Sequence, residues 1–215
     1  MAREHSNPRA LALRTRLEAA IPANYRPRRH LALNFGLVGL ALVGVLAGLR
    51  EVAAAELLVL PCTFVAMNLL EYVSHRTLMH RRIPGAHFVF DAHTRRHHAS
   101  FGADNMAIRS KREIGLIVFG VREIVGFLLA ALPGLGLLLA LGSRNCALLA
   151  LAMVLVHYLL YEGLHLLAHL PDDHAIAGRP IFAAARRRHA HHHGAADSNF
   201  NVTMPVSDWL FGTLR

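Results

Sequence analysis

The chain is 215 residues long, enough for one domain of ordinary size. Hydrophobic residues make up 54% and charged residues 17%, with a mean hydropathy of +0.35, which excludes an ordinary soluble domain and points to a membrane protein. The net charge is +9, but the Arg and Lys side chains fall in loops between apolar runs, so nucleic acid is not an expected partner.

Residues 1–30 are polar and basic, with seven arginines, and are expected to form a cytoplasmic or interfacial segment. Within them Leu11, Leu13, Leu17 and Ile21 can share one face of a short helix ending before Pro22; a frayed tail is the alternative. The first apolar run begins only at Leu31, which argues against a cleaved signal peptide and for a retained anchor. The remainder, 31–215, reads as one membrane domain with spans at about 31–49, 52–74, 124–141 and 146–169. Cys62 and Cys146 lie in or beside these runs with no CxxC, so they are expected to pack and not to bridge or bind zinc.

The second run carries Glu56, Pro61, Asn68 and Glu71, residues a purely structural span rarely needs. The third is interrupted by Arg122-Glu123, which makes Ile114–Val121 an interfacial lead-in, and Pro133 can kink it or break it into a hairpin. Charge decides between three and four crossings. With four, segments 1–30, 75–112 and 171–215 share one side and hold 20 of the 23 Lys/Arg, which makes that side cytoplasmic. A hairpin at Pro133 would split the histidines between the two sides, so four spans are preferred. The fold class expected is therefore all-α: a multi-pass membrane protein with a cytoplasmic, histidine-rich helical cap from 75–112 and 171–215.

Ten of the 16 histidines fall into four spaced groups: His75 and His80; His93, His97 and His98; His165 and His169; His189, His192 and His193. Spacings of three or four put side chains on one helical face, so each group can send two imidazoles to one place. The five-residue step of the first group suits a helix end that departs from 3.6 periodicity. In each HH pair the neighbouring ring points about a quarter turn away and can reach a second metal. Imidazole alone does not choose among Fe, Zn, Cu and Ni, but ten ligands suffice for two ions. Two adjacent metals at a membrane surface suit oxygen activation on a lipid. His5, His30 and His174 read as surface residues, and His87, His157 and His191 lie off the repeated spacing.

The motifs HRTLMH at 75–80, HTRRHH at 93–98, HLLAH at 165–169 and HAHHH at 189–193, with the closing NFNVTMPVSDWLFGT, resemble the fatty acid hydroxylase superfamily. That superfamily also holds sterol desaturases and carotenoid hydroxylases, and the resemblance covers about residues 60–215. It implies a multi-pass, O2-dependent oxidoreductase whose ten matching histidines hold two metal ions, iron in the active form, with zinc a possible ion in isolated protein. One departure stands out: the usual second box, HX2HH, needs histidine at 94, where this chain has Thr94 and offers His93 one residue early.

Fatty-acyl hydroxylation is the leading reading, with lipid or sterol desaturation and carotenoid hydroxylation as alternatives. The implied partners are a lipid from the bilayer, O2 and a separate electron-donor protein, since no haem, flavin or iron–sulfur module is visible. Glu71 and Glu162 can orient ligand rings through their free N–H groups, or instead pair with nearby arginines. Tyr158 and Tyr161 are expected at the membrane interface. The rival class is a histidine-rich metal-binding or transport protein, which would place ligands inside the spans.

Overall fold

The computed structural model describes residues 8–215 and is all helical, with no strand among the described residues. His5 lies outside the described residues. In chain order the helices are α1 (Pro8–Ala19), α2 (Pro27–Ala47), α3 (Val59–Ser74), α4 (His87–Phe90), α5 (Val121–Leu141), α6 (Arg144–Ala168), α7 (Pro180–Gly194) and α8 (Val206–Leu210). A 3-10 turn, Ala54–Leu58, leads into α3, and a second, Lys111–Leu116, lies ahead of α5. Two π-helical stretches, His75–Met79 and Asp91–His98, continue α3 and α4.

Four stretches are long and apolar enough to cross a membrane: Pro27–Ala47, Ala54–Met79, Lys111–Leu141 and Arg144–Ala168. Leucines and valines such as Leu40, Val43, Leu129 and Leu141 stand exposed along them, as helices facing acyl chains require. The helix ends differ from the expected spans for local reasons. Helix α2 starts at Pro27, where a proline costs no hydrogen bond because first-turn N–H groups have no intrahelical acceptor. Residues 114–120 lie outside α5, as a lead-in does, and Arg122-Glu123 sits in the first turn of the helix. Glu123 Oε2 accepts from Gly120 N at 3.1 Å, so this carboxylate caps the start of α5. Helix α5 continues through Pro133, so the hairpin does not form.

The chain divides into two compact units. One contains Arg28–Met67 and Phe119–Glu162. Its core is Val38, Ile124, Leu155 and Tyr158. Asn34 Nδ2 donates to Tyr158 Oη and to the Phe119 carbonyl, each at 2.9 Å, and His30 Nε2 lies 2.9 Å from the same carbonyl. Tyr161 is buried and stacks on Phe119. Both tyrosines pack inside this unit. His30 is held by a hydrogen bond and is not a simple surface residue. His157 is buried with its ring edge toward Phe64.

The other unit contains the N-terminal residues to Pro27, Asn68–Val118 and Gly163–Arg215. All ten grouped histidines belong to it. Its N-terminal helix corrects the expected leucine face: Leu11 and Leu13 are exposed, and the residue turned inward is Arg14. Arg14 forms a bidentate pair with buried Glu113 (2.7 and 2.6 Å), donates to Asn105 and to the Ala107 carbonyl, and lies 4.4 Å over the Phe101 ring. A buried guanidinium survives only when its donors are satisfied in this way. The pairing fixes residues 101–113 as a shelf beneath the histidines.

Candidate metal centre

The histidine groups assemble into two nests. In nest A, His75, His80, His93, His98 and His192 each bring one ring nitrogen to within 4.8 Å of the others. In nest B the same holds for His97, His165, His169 and His189. His193 joins nest B, its Nε2 3.1 Å from the Nε2 atoms of both His97 and His189. The rings of His98 and His193 stack at 4.1 Å between centroids, where the nests adjoin. Neighbours in each HH pair do serve different nests, His97 and His98 in one case and His192 and His193 in the other.

Same-face pairing, however, does not follow the spacing of three or four everywhere. His93 and His97 separate, and His93 instead meets His98, with Nε2 atoms 3.0 Å apart. The cause is the backbone. A π-helical turn carries hydrogen bonds from residue i to i+5 and so brings residues five apart onto successive turns. Both His75/His80 and His93/His98 are five apart, and both occupy π-helical turns. The extra residue in HX3HH is thereby absorbed. Thr94 turns aside, its hydroxyl donating to the Met79 carbonyl at 2.6 Å. On α7, by contrast, the spacing of four holds: His189 meets His193 and parts from His192.

Five of the rings are oriented by backbone carbonyls through Nδ1. His75 donates to Phe200 O, His97 to Leu116 O (3.2 Å), His169 to Met106 O (2.8 Å), His192 to Ser198 O (2.7 Å) and His193 to Phe101 O. A carbonyl accepts only, so these contacts place the proton on Nδ1 and leave an Nε2 lone pair. His97 and His193 are both fixed this way, yet their Nε2 atoms stand 3.1 Å apart. Two lone pairs at that distance repel unless a cation lies between them. Further contacts of 2.9 to 3.1 Å join His75 to His93, His80 to His192, His97 to His165 and His169 to His189. Separations near 3 Å are the edges of a coordination polyhedron whose metal–nitrogen bonds are about 2.1 Å long. The donor set therefore fits two imidazole-bound metal ions.

Electrostatics favours the same state. Burial, reinforced by neighbouring imidazoles, holds His93, His97, His169, His189 and His193 well below the usual histidine range. Burial pushes His80 and His192 down to about 4. The rings are neutral at physiological pH and ready to ligate.

The acceptor carbonyls are held in turn. Glu71 Oε1 accepts from Val202 N (2.6 Å) and Thr203 N (3.1 Å), and its Oε2 from Thr203 Oγ1. Asp208 accepts from Phe200 N, Asn201 N and Thr213 Oγ1, while Asn201 Oδ1 accepts from Asp208 N. Gly212, at φ +68, turns the chain so that Thr213 N reaches the Asp208 carbonyl. Glu71 thus secures the C-terminal strap that presents Phe200 O to His75. Glu162 lies in the other unit, accepting from Phe119 N at 3.0 Å. Sequence reasoning missed Arg14, the carbonyl acceptors and the clasp at Asp208. Only the clasp had a signal, the DWLFGT ending. Of the histidines off the spacing, His87 is exposed and His191 Nδ1 is engaged by Ser198 and Asn199; His174 is exposed, as a surface residue is.

Beside nest B, a cleft of about 730 Å³ opens between residues 103–109 and the region around α7. Met106, Arg109, Asp172, Arg179, Arg186 and Arg187 contribute to its lining. Arg186 is tied to Asp172 and to the Leu167 and Leu170 carbonyls, which fixes the loop after α6.

A family model described as fatty acid hydroxylase matches residues 60–213. No curated protein and no solved structure matches the chain.

Proposed function

The chain belongs to the fatty acid hydroxylase family, and on that premise we propose that it is an O2-dependent membrane hydroxylase acting on a lipid acyl chain. Family and helices together make it an integral membrane protein with a hydroxylase- or desaturase-type role. The observation that carries the finer reading is the convergence of ten imidazoles on two nests, with fixed lone pairs opposed at 3.1 Å. We take the native ions to be iron, with zinc able to occupy the same imidazoles. Such a centre, once loaded, supplies the oxidant for an unactivated C–H bond: substrate, O2, two electrons and two protons give an alcohol and water.

The chain's own residues do the rest. Carbonyls of Phe101, Met106, Leu116, Ser198 and Phe200 hold the ligand rings in one tautomer and one orientation. Phe101 and Phe200 wall the nests with apolar surface and limit water. Electrons come from a separate donor protein, and the arginine-lined cleft beside nest B is the surface an acidic donor fits. The charge count supports a cytoplasmic site.

The test is expression in membranes with a reductase system, followed by comparison of lipid profiles between the wild type and His193→Ala. An acyl species heavier by one oxygen, absent in the variant and without the reductase, is expected. Loss of two hydrogens instead identifies a desaturase. Full metal occupancy with no oxygen-dependent product defeats the enzyme reading in favour of metal binding.

A further inference from the structure

The C-terminal helix α8 and the residues after it expose a run of large apolar side chains: Trp209 is 72% exposed, Leu210 65% and Phe211 50%. In a water-facing cap such a run would be costly. Its position along α3 is fixed by specific bonds. Asn68 Oδ1 accepts from Ser207 N and Oγ at 3.0 and 2.9 Å, Asn68 Nδ2 donates to the Met204 carbonyl at 2.7 Å, and Phe211 stacks on Tyr72 at 4.9 Å. Asn68 and Tyr72 lie in the last two turns of α3, within the membrane-crossing stretch Ala54–Met79, with Arg76 of the next turn donating to Tyr72 Oη at 2.6 Å. Leu69, Leu70 and Val73, beside them on α3, are themselves exposed, as a lipid-facing surface is. The C-terminal element therefore sits beside the last turns of a membrane-length helix.

A second observation agrees. Backbone polar groups cannot remain unpaired in hydrocarbon. The N–H groups of Val206, Ser207, Asp208 and Trp209, and those of Phe211 through Leu214, all donate within the chain. The element is apolar outside, and these N–H groups are paired inside.

We propose that residues 204–211 are a membrane-immersed element whose Trp209, Leu210 and Phe211 contact lipid acyl chains. The polypeptide thus returns into the bilayer after the histidine-bearing α7. The inference needs only that α3 spans the membrane; it does not depend on hydroxylase activity. It places lipid three ring contacts from nest A: Phe211 to Tyr72 (4.9 Å), Tyr72 to Phe200 (5.4 Å) and Phe200 to His192 (5.8 Å). An acyl chain alongside Phe211 is at the outer end of an aromatic wall that leads to the ligands.

Trp209 is the sole tryptophan, so its fluorescence reports on this element without any substitution. The full chain is reconstituted in phosphatidylcholine vesicles, with or without bromine on the acyl chains. Brominated vesicles are expected to remove most of the emission, while aqueous iodide removes little. Strong quenching by iodide with none by bromine would put the element in water and overturn the proposal. Emission protected from both quenchers would mean a protein surface, such as a second copy of this chain, covers the patch, and would overturn it equally.

Discussion

His97 and His193 show how little freedom a single ligand has here. Each ring is tied at Nδ1 to a carbonyl of the 101–116 segment, so the free lone pair can point only toward the partner ring. Arg14 stands behind that arrangement, because its hydrogen bonds to Asn105 and Ala107 hold the carbonyl of Met106 against His169. Arg14→Met would leave the buried Glu113 carboxylate with only the partly exposed Arg109 as a cation. The expected destabilisation is about 3 kcal/mol, since removing one member of a buried pair strands the other charge. A lowered melting temperature in detergent measures it, with metal lost from nest B. The double change Arg14→Met with Glu113→Gln should recover part of the stability; if the single variant melts like wild type, the pair has no such role. The gathering of the histidines was legible because their spacing is itself chemical information. Arg14 was not, because one arginine among seven in a basic segment has nothing local to mark it. Carbonyl acceptors were equally hidden, since every residue has one.

Helices follow from apolar runs, and that level read well: four runs became four membrane-length helices, with only their ends displaced by caps and prolines. The π-helical turns are a different case. The five-residue step from His75 to His80 hinted at an irregular backbone, but His93 to His98 was hidden by the more familiar four-residue step to His97. The geometry makes a deletion informative. Removing Thr94 brings His93 and His98 to a spacing of four, which an ordinary α-helical turn places on one face. The expected result is that nest A keeps its metal, at a cost of about 1 kcal/mol from the lost Thr94 bond to the Met79 carbonyl. Inserting one alanine after Thr94 should instead carry His93 away from His98 and halve the metal content. Elemental analysis of the two purified variants decides it. Equal loss in both would show that the π-helical register is required and is not merely tolerated.

For the whole molecule, the organising fact is charge. Twenty of the 23 Lys/Arg lie in three segments that four crossings place together, and the histidines lie in or beside the same segments. This much was readable without coordinates, because the positive-inside bias acts on composition and not on contacts. The seating of the C-terminal strap on α3 was not readable, since Asn68 and Ser207 are 139 residues apart and neither is unusual alone. The sidedness itself is open to direct measurement. In a background with Cys62 and Cys146 changed to alanine, single cysteines are placed at Arg50, in the turn after α2, and at Asp173, in the loop after α6. Both side chains are exposed, so neither site depends on opening the fold. A membrane-impermeant maleimide should label the Arg50→Cys protein in intact cells and the Asp173→Cys protein only after permeabilisation. The opposite pattern would turn the site to the outside and remove the case for a cytoplasmic electron donor. Labelling of both from one side would mean an even number of crossings between them, instead of the three made by α3, α5 and α6. An even count there is incompatible with the histidines that follow α3 meeting His165 of α6 in one unit, so such a result would contradict the four-span arrangement itself.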